Sequence, residues 1–194
     1  MLAPAPITQG KIQRLTSPTI KIDGTATLAD RRLDSTLSLK SGAVDIKASG
    51  VLDLAQSSFD DLGVDIRLLK PPAMFPNMTG RDIRLQANFN GPFATADFDY
   101  LLTAPRIAFD NTGFETVRAA GRGKLSKPPI RLPVKMTART VTGVGDVAGG
   151  ILRNLSVDGV VSVTAKSLTG DALKVSSDKL KGKLTLFVDL ATGR

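Results

Sequence analysis

The chain contains no cysteine, no histidine and no tryptophan. Without cysteine there are no disulfides and no thiolate zinc sites, and the compartment stays open, because a cytosolic chain and an exported one that needs no staples both fit. Without histidine as well, the usual nucleophile–base pairs and zinc ligands are missing, which removes most hydrolase and metalloenzyme templates. Glutamate is nearly absent: of 18 acidic residues only Glu115 is one, the rest being aspartate. A common helix former is thereby lost, while Thr, Val, Gly and Ser, which suit strands and turns, are abundant. No run approaches the ~20 apolar residues of a membrane-spanning helix, and Met1 to Gly10 has neither the basic start nor the apolar stretch of a signal peptide. We therefore expect a soluble chain that carries no address of its own. Pro4 and Pro6 beside the start, and an end at Arg194 directly after a strand pattern, point to a segment of something longer.

What is present is a period of two. Ile83, Leu85, Ala87 and Phe89 alternate with Asp82, Arg84, Gln86 and Asn88, and Ile130, Leu132, Val134 and Met136 alternate with Arg131, Pro133, Lys135 and Thr137. Successive side chains of a strand point to opposite sides, so such runs describe an amphipathic antiparallel sheet with one greasy and one wet face. The greasy face must be covered by a second sheet, by closure on itself or by an apolar ligand, since leaving it in water forgoes roughly 25 cal/mol per Å². A chain of 194 residues suffices for one domain with a sizeable core. Net charge is +8, with most of the excess in the second half. A basic half favours anionic lipid or nucleic acid, but Arg118, Arg122 and Lys124 share one parity, as a solvated sheet face would.

Strands are expected at Thr19–Leu28, Arg32–Leu39, Gly42–Leu54, Leu62–Leu69, Asp82–Asn90, Phe93–Thr103, Arg106–Asp110, Thr116–Leu125, Pro129–Thr142, Ser156–Lys166, Ala172–Val175 and Leu180–Leu190, after an irregular opening up to Pro18. Pro71, Pro72 and Pro76 remove ladder donors, so Lys70 to Gly80 reads as a loop and a possible internal break. Gly145 to Leu155 is the one candidate helix, with Val147, Ile151, Leu152 and Leu155 on a face. Gly24, Gly50, Gly91, Gly123, Gly159 and Gly182 fall near the starts of alternating runs, where bulges would make a sheet curl. The fold class is thus all-β: a curled antiparallel amphipathic sheet forming an elongated open trough, with at most one short helix near 145–155.

The remaining chemistry is thin. The pairs Asp60/Asp61 and Asp97/Asp99 are the nearest acidic neighbours, and Asp97 and Asp99 share the wet parity, where nothing raises a carboxyl pKa as a general acid requires. Gly143 to Gly150 superficially resembles a phosphate-cradling loop but lacks the Lys-Ser/Thr of a P-loop and a long helix after it. The eight Phe and single Tyr fall mostly in apolar parity, as with Phe89 and Phe98, so no aromatic platform for nucleic acid is expected. No enzyme, cofactor or metal site is expected.

Val51-Leu52-Asp53-Leu54 running through Asp61-Leu62-Gly63-Val64-Asp65-Ile66-Arg67-Leu68, the run from Phe89-Asn90-Gly91-Pro92-Phe93 to Phe114-Glu115-Thr116-Val117-Arg118-Ala119-Ala120-Gly121, and the stretch from Arg139 to Leu155 resemble the AsmA-like superfamily. The third stretch looks most like its YdbH-type branch, sometimes labelled dicarboxylate transport, with the TamB-type branch as the near alternative. The resemblance covers most of the chain from about residue 40 and rests on diffuse hairpin patterns. It implies a piece of a long periplasmic protein, anchored in the inner membrane, in which phospholipid acyl chains slide along an apolar β-trough toward the outer membrane. Phospholipid would be the ligand, membranes and a candidate envelope protein partner would be met by other parts of the full-length protein, and no nucleic acid is implied.

The residues expected to line such a trough are Leu52, Leu54, Val64, Ile66, Leu68, Ile83, Leu85, Phe89, Phe98, Tyr100, Ile130, Leu132, Val134, Met136, Val161, Val163, Leu184, Leu186 and Val188. Headgroups are expected near Arg118, Arg122, Lys124, Lys179, Lys181 and Lys183. The rival expectation is a structural β-sandwich, or a binding module, whose apolar face is wholly self-covered.

Overall fold

Alternating parity yields strands throughout, and the computed structural model, which describes residues 10–145 and 152–193, assembles all of them into one antiparallel sheet. The elements in chain order are α1 (Lys11–Thr16), β1 (Lys21–Ala29), β2 (Arg32–Lys40), β3 (Val44–Asp53), β4 (Ser58–Leu68), α2 (Pro71–Met74), β5 (Met78–Arg81), β6 (Ile83–Pro92), β7 (Asp97–Phe109), β8 (Thr112–Lys124), β9 (Ile130–Ala138), β10 (Thr140–Thr142), β11 (Leu155–Val163), β12 (Ser167–Ser176) and β13 (Lys181–Asp189). The 13-stranded sheet runs β1-β2-β3-β4-β6-β7-β8-β9-β11-β12-β13, with β5 beside β7 and β10 beside β8, and it is not closed into a barrel.

Hairpins between neighbours in sequence need tight turns, and small polar residues at the strand ends supply them. The Asp53 carboxylate accepts the amides of Ala55 and Gln56 at 2.9 and 2.8 Å. Ser41 Oγ accepts those of Ala43 and Val44 at 3.1 and 3.0 Å, and Thr164 Oγ1 accepts that of Ser167 at 2.9 Å. Each satisfies backbone donors that a turn would otherwise leave unpaired.

Bulges bend the ladder at β3/β4, β4/β6, β11/β12 and β12/β13. At the first, Gly50 has φ 151°, and a Cβ there would meet Leu62 Cα at 2.6 Å and the Asp61 carbonyl at 2.7 Å. Only glycine lets β3 and β4 approach this closely.

Four expectations are corrected. The opening is not wholly irregular, since α1 forms at Lys11–Thr16. The proline-rich segment holds α2, because Pro71 and Pro72 occupy its first turn, where a missing N–H costs nothing, and then β5. The sheet crosses this segment unbroken, β4 pairing directly with β6. The helix expected near 145–155 falls largely on residues outside those described; among the described residues the two short helices are α1 and α2. The expected strands Phe93–Thr103 and Arg106–Asp110 are one strand, β7, whose side-chain alternation changes phase at Pro105. Opposite it, Thr116 of β8 has φ 53°, and beyond this point Ile107 joins the core instead of Arg106.

The core sits at one end of the sheet. Leu68, Ile83, Ala104, Val117, Ala138 and Leu155 close over Met78, Ile107 and Val141, with Leu15, Met74 and Phe75 of the helical segments packed against them. We call this the plugged end. Adjacent strands twist by roughly 20–25°, so over the whole path the rotation carries strands well past a right angle. The result is visible at β13. Its last residues pair with β12 at the end remote from the plug, yet Lys11 Nζ donates to the Leu190 carbonyl and lies 3.9 Å from the Phe75 ring centre.

Candidate functional site: one apolar sheet face

Residues directly opposite each other in a ladder share a face, so the register extends each strand's parity across the molecule. One row reads Ile22, Leu39, Ile46, Ile66, Leu85, Leu102, Ala119, Met136, Val157, Val175 and Gly182, from β1 to β13 without a polar member. The adjacent row reads Lys21, Lys40, Asp45, Arg67, Arg84, Thr103, Arg118, Thr137, Ser156, Ser176 and Lys181, every one polar. The sheet is amphipathic over its full width.

Of the residues expected to line a trough, all but Leu54 fall in strands on this apolar face; Leu54 lies in the turn after β3 and is 43% exposed. The face is not uniformly accessible. Leu68 and Ile83 are buried beneath the plug, Phe98 lies beside Phe89 with ring centres 6.0 Å apart, and Val161 is packed by Leu173 across Gly170. These four belong to the packed interior rather than to an open lining. Val64, Ile66, Leu85, Phe89, Tyr100, Ile130, Leu132, Val134, Met136, Val163, Leu186 and Val188 are half-buried, and Leu52 likewise. Uncovered apolar surface is concentrated at the margins: Ile22 and Leu28 on β1, Leu37 on β2 and Leu184 on β13 are between 40 and 63% exposed. Among the described residues no large side chain is fully buried.

The end remote from the plug is floored by aromatics. Phe59 lies 4.7 Å from Phe93 and 6.0 Å from Phe89, all tilted, as ring quadrupoles prefer. Here the β8/β9 ladder stops. Pairing reaches Ala120 and Lys135 and goes no further, because Pro133 has no N–H to give. Its carbonyl instead accepts the Tyr100 hydroxyl at 2.9 Å. Burial pushes the Tyr100 phenol up to about 12, so it stays a neutral donor. Gly121 makes room, since a Cβ there would stand 1.9 Å from the Pro133 carbonyl oxygen.

The basic residues expected near headgroups stand on the other face. Arg118, Arg122, Lys124, Lys181 and Lys183 share the polar parity, and Lys179 lies in the turn before β13. Arg122 is directly opposite Asp99, and Lys124 pairs with Asp97 at 2.9 Å. The structure therefore does not bring this set alongside the apolar side chains. The more pronounced surface cavities, of about 460 to 560 Å³ each, are lined mainly by polar-face or loop residues. Asp65 on that face accepts from Arg84 Nε at 2.9 Å, a bond that holds its carboxyl below the usual range. Among the described residues no three acidic side chains gather as a metal site would need, and no helix is long and apolar enough to cross a membrane.

The fold and face define an open, single-layer antiparallel sheet, apolar on one side. Comparison with protein-family models, curated proteins and solved structures gave no match.

Proposed function

We propose that the chain is a segment of a bridge-like periplasmic lipid-transfer protein, in which phospholipid acyl chains lie against the apolar face while headgroups remain in water. The observation that carries this reading is the apolar row spanning all eleven strands of the sheet path with its ends uncovered at β1, β2 and β13. Covering a Leu or Ile side chain is worth roughly 1.5–3 kcal/mol, so Ile22, Leu28, Leu37 and Leu184 favour any hydrocarbon laid across them. No catalytic group or cofactor is required. A face of near-uniform apolarity holds a chain no more tightly at one place than at the next, which is what sliding needs. Contacts with the two membranes, and with any envelope protein, belong on this reading to other parts of a longer protein.

The rival reading, a structural β module that covers its own face, draws on the burial of Leu68, Ile83, Phe98 and Val161. Purification in mild detergent followed by native mass spectrometry and lipid extraction separates the two. Phospholipid at one or more copies per chain supports transfer. A stable, lipid-free monomer overturns it in favour of the self-covered module.

A further inference from the structure

We propose that Arg81, Arg106 and Arg139 form a binding site for a phosphate group, on the polar side of the plugged end. The topology gathers residues far apart in sequence. Arg81 of β5 stands directly opposite Arg106 of β7, Arg106 opposite Glu115 of β8, and the Arg139 amide donates to the Glu115 carbonyl at 2.8 Å. With Gly80, Pro105 and Thr116 they line a cavity of about 540 Å³, room for a phosphate and part of whatever carries it. Three guanidinium groups meet a single carboxylate there.

Elsewhere on this face some cations are matched, while others, Arg67, Arg118 and Lys181 among them, make no ion pair. Arg32 pairs with Asp53 at 3.2 Å and with Asp60, Arg84 with Asp65, and Lys124 with Asp97. Among the described residues Arg81, Arg106 and Arg139 make no ion pair, even with Glu115 so near. Like charges directly opposite in a ladder repel, and a concave wall focuses their field toward an incoming anion. Guanidinium forks bind phosphate oxygens two at a time, and three forks around one cavity suit a tetrahedral, multiply charged anion better than a lone carboxylate. The site is independent of whether acyl chains occupy the opposite face. Its phosphate has two sources, a free phosphate or a lipid headgroup.

The full chain, labelled with ¹⁵N, is titrated with inorganic phosphate at low ionic strength while the arginine Nε signals are followed. Saturable shifts at Arg81, Arg106 and Arg139 are expected, and R106Q, which changes an exposed residue, should weaken binding by about tenfold or more. E115Q should tighten it, and R122Q, remote on the same face, should leave it unchanged. Flotation with phosphatidylcholine vesicles, with and without phosphatidic acid, then names the source: Arg106-dependent capture by the acidic vesicles assigns the site to a headgroup, and phosphate binding without capture assigns it to a soluble ligand. Absence of saturation, or an equal loss in R122Q, overturns the site.

Discussion

The plugged end and the margins of the apolar face are made of the same residue types, and they differ in what lies on top. At the plugged end Leu68, Ile83 and Leu155 are 5 to 8% exposed, because α1, α2 and β5 supply Leu15, Met74 and Met78 as a lid. At the margins Ile22 and Leu184 are 47 and 40% exposed. Parity alone therefore sets which face is apolar, while burial is set by short accessory segments that depart from the strand pattern. The plug fixes the fold, and the margins are free to do something else.

That contrast is broken most strongly from the plugged side. Ile83→Ala should cost about 3 kcal/mol, the transfer term plus a cavity the surrounding sheet cannot refill, read as a lower urea midpoint with an unchanged slope. Next comes the end remote from the plug, where Gly121→Ala sets a methyl group against the Pro133 carbonyl and should cost roughly 1–3 kcal/mol by forced separation of β8 from β9. Exposure of the Tyr100 phenol, seen as a downward move of its titration midpoint from about 12, would locate the damage. At the margin, Leu184→Asp, at a residue 40% exposed, should change stability by less than about 1 kcal/mol, yet lower co-purifying phospholipid severalfold. If that variant keeps its lipid, or unfolds as Ile83→Ala does, the two regions do not differ as described.

The amphipathic sheet was legible because a period of two survives in β3, β4, β6, β9 and β11, and antiparallel pairing then adds the faces together. The edges of the argument were not. Pro71 and Pro72 read as breakers, whereas at the start of a helix they are well placed; four residues of helix leave no periodic trace. β5 and β10 have four and three residues, too few for alternation to register. The phase change at Pro105 was visible as a gap between two expected strands, but not as the device that turns Ile107 inward. Arg118, Arg122 and Lys124 were assigned to headgroups although their parity already opposed the apolar side chains. The arginine cluster was invisible because Arg81, Arg106 and Arg139 meet only once β5 lies on β7 and β10 on β8.

The smallest expected effect tests whether the polar face contributes to stability at all. Asp65 is held below its ordinary pKa chiefly by the hydrogen bond from Arg84, with the guanidinium's charge adding to it. A carboxyl depressed in the folded state contributes stability that is present above its unfolded pKa, about 3.9, and lost as pH falls through the lower folded value. The window thus opens below about pH 4. The pair is exposed enough for solvent and salt to screen it, with side-chain accessibilities of 26 and 38%, so its share is small. Asp65→Asn should lower the urea midpoint slightly at pH 7 and by less at pH 3, and added salt should shrink the difference. An equal loss at both pH values would mean that Asp65 acts through packing, and that the wet face, like the plugged end, holds the sheet together by contact rather than by charge.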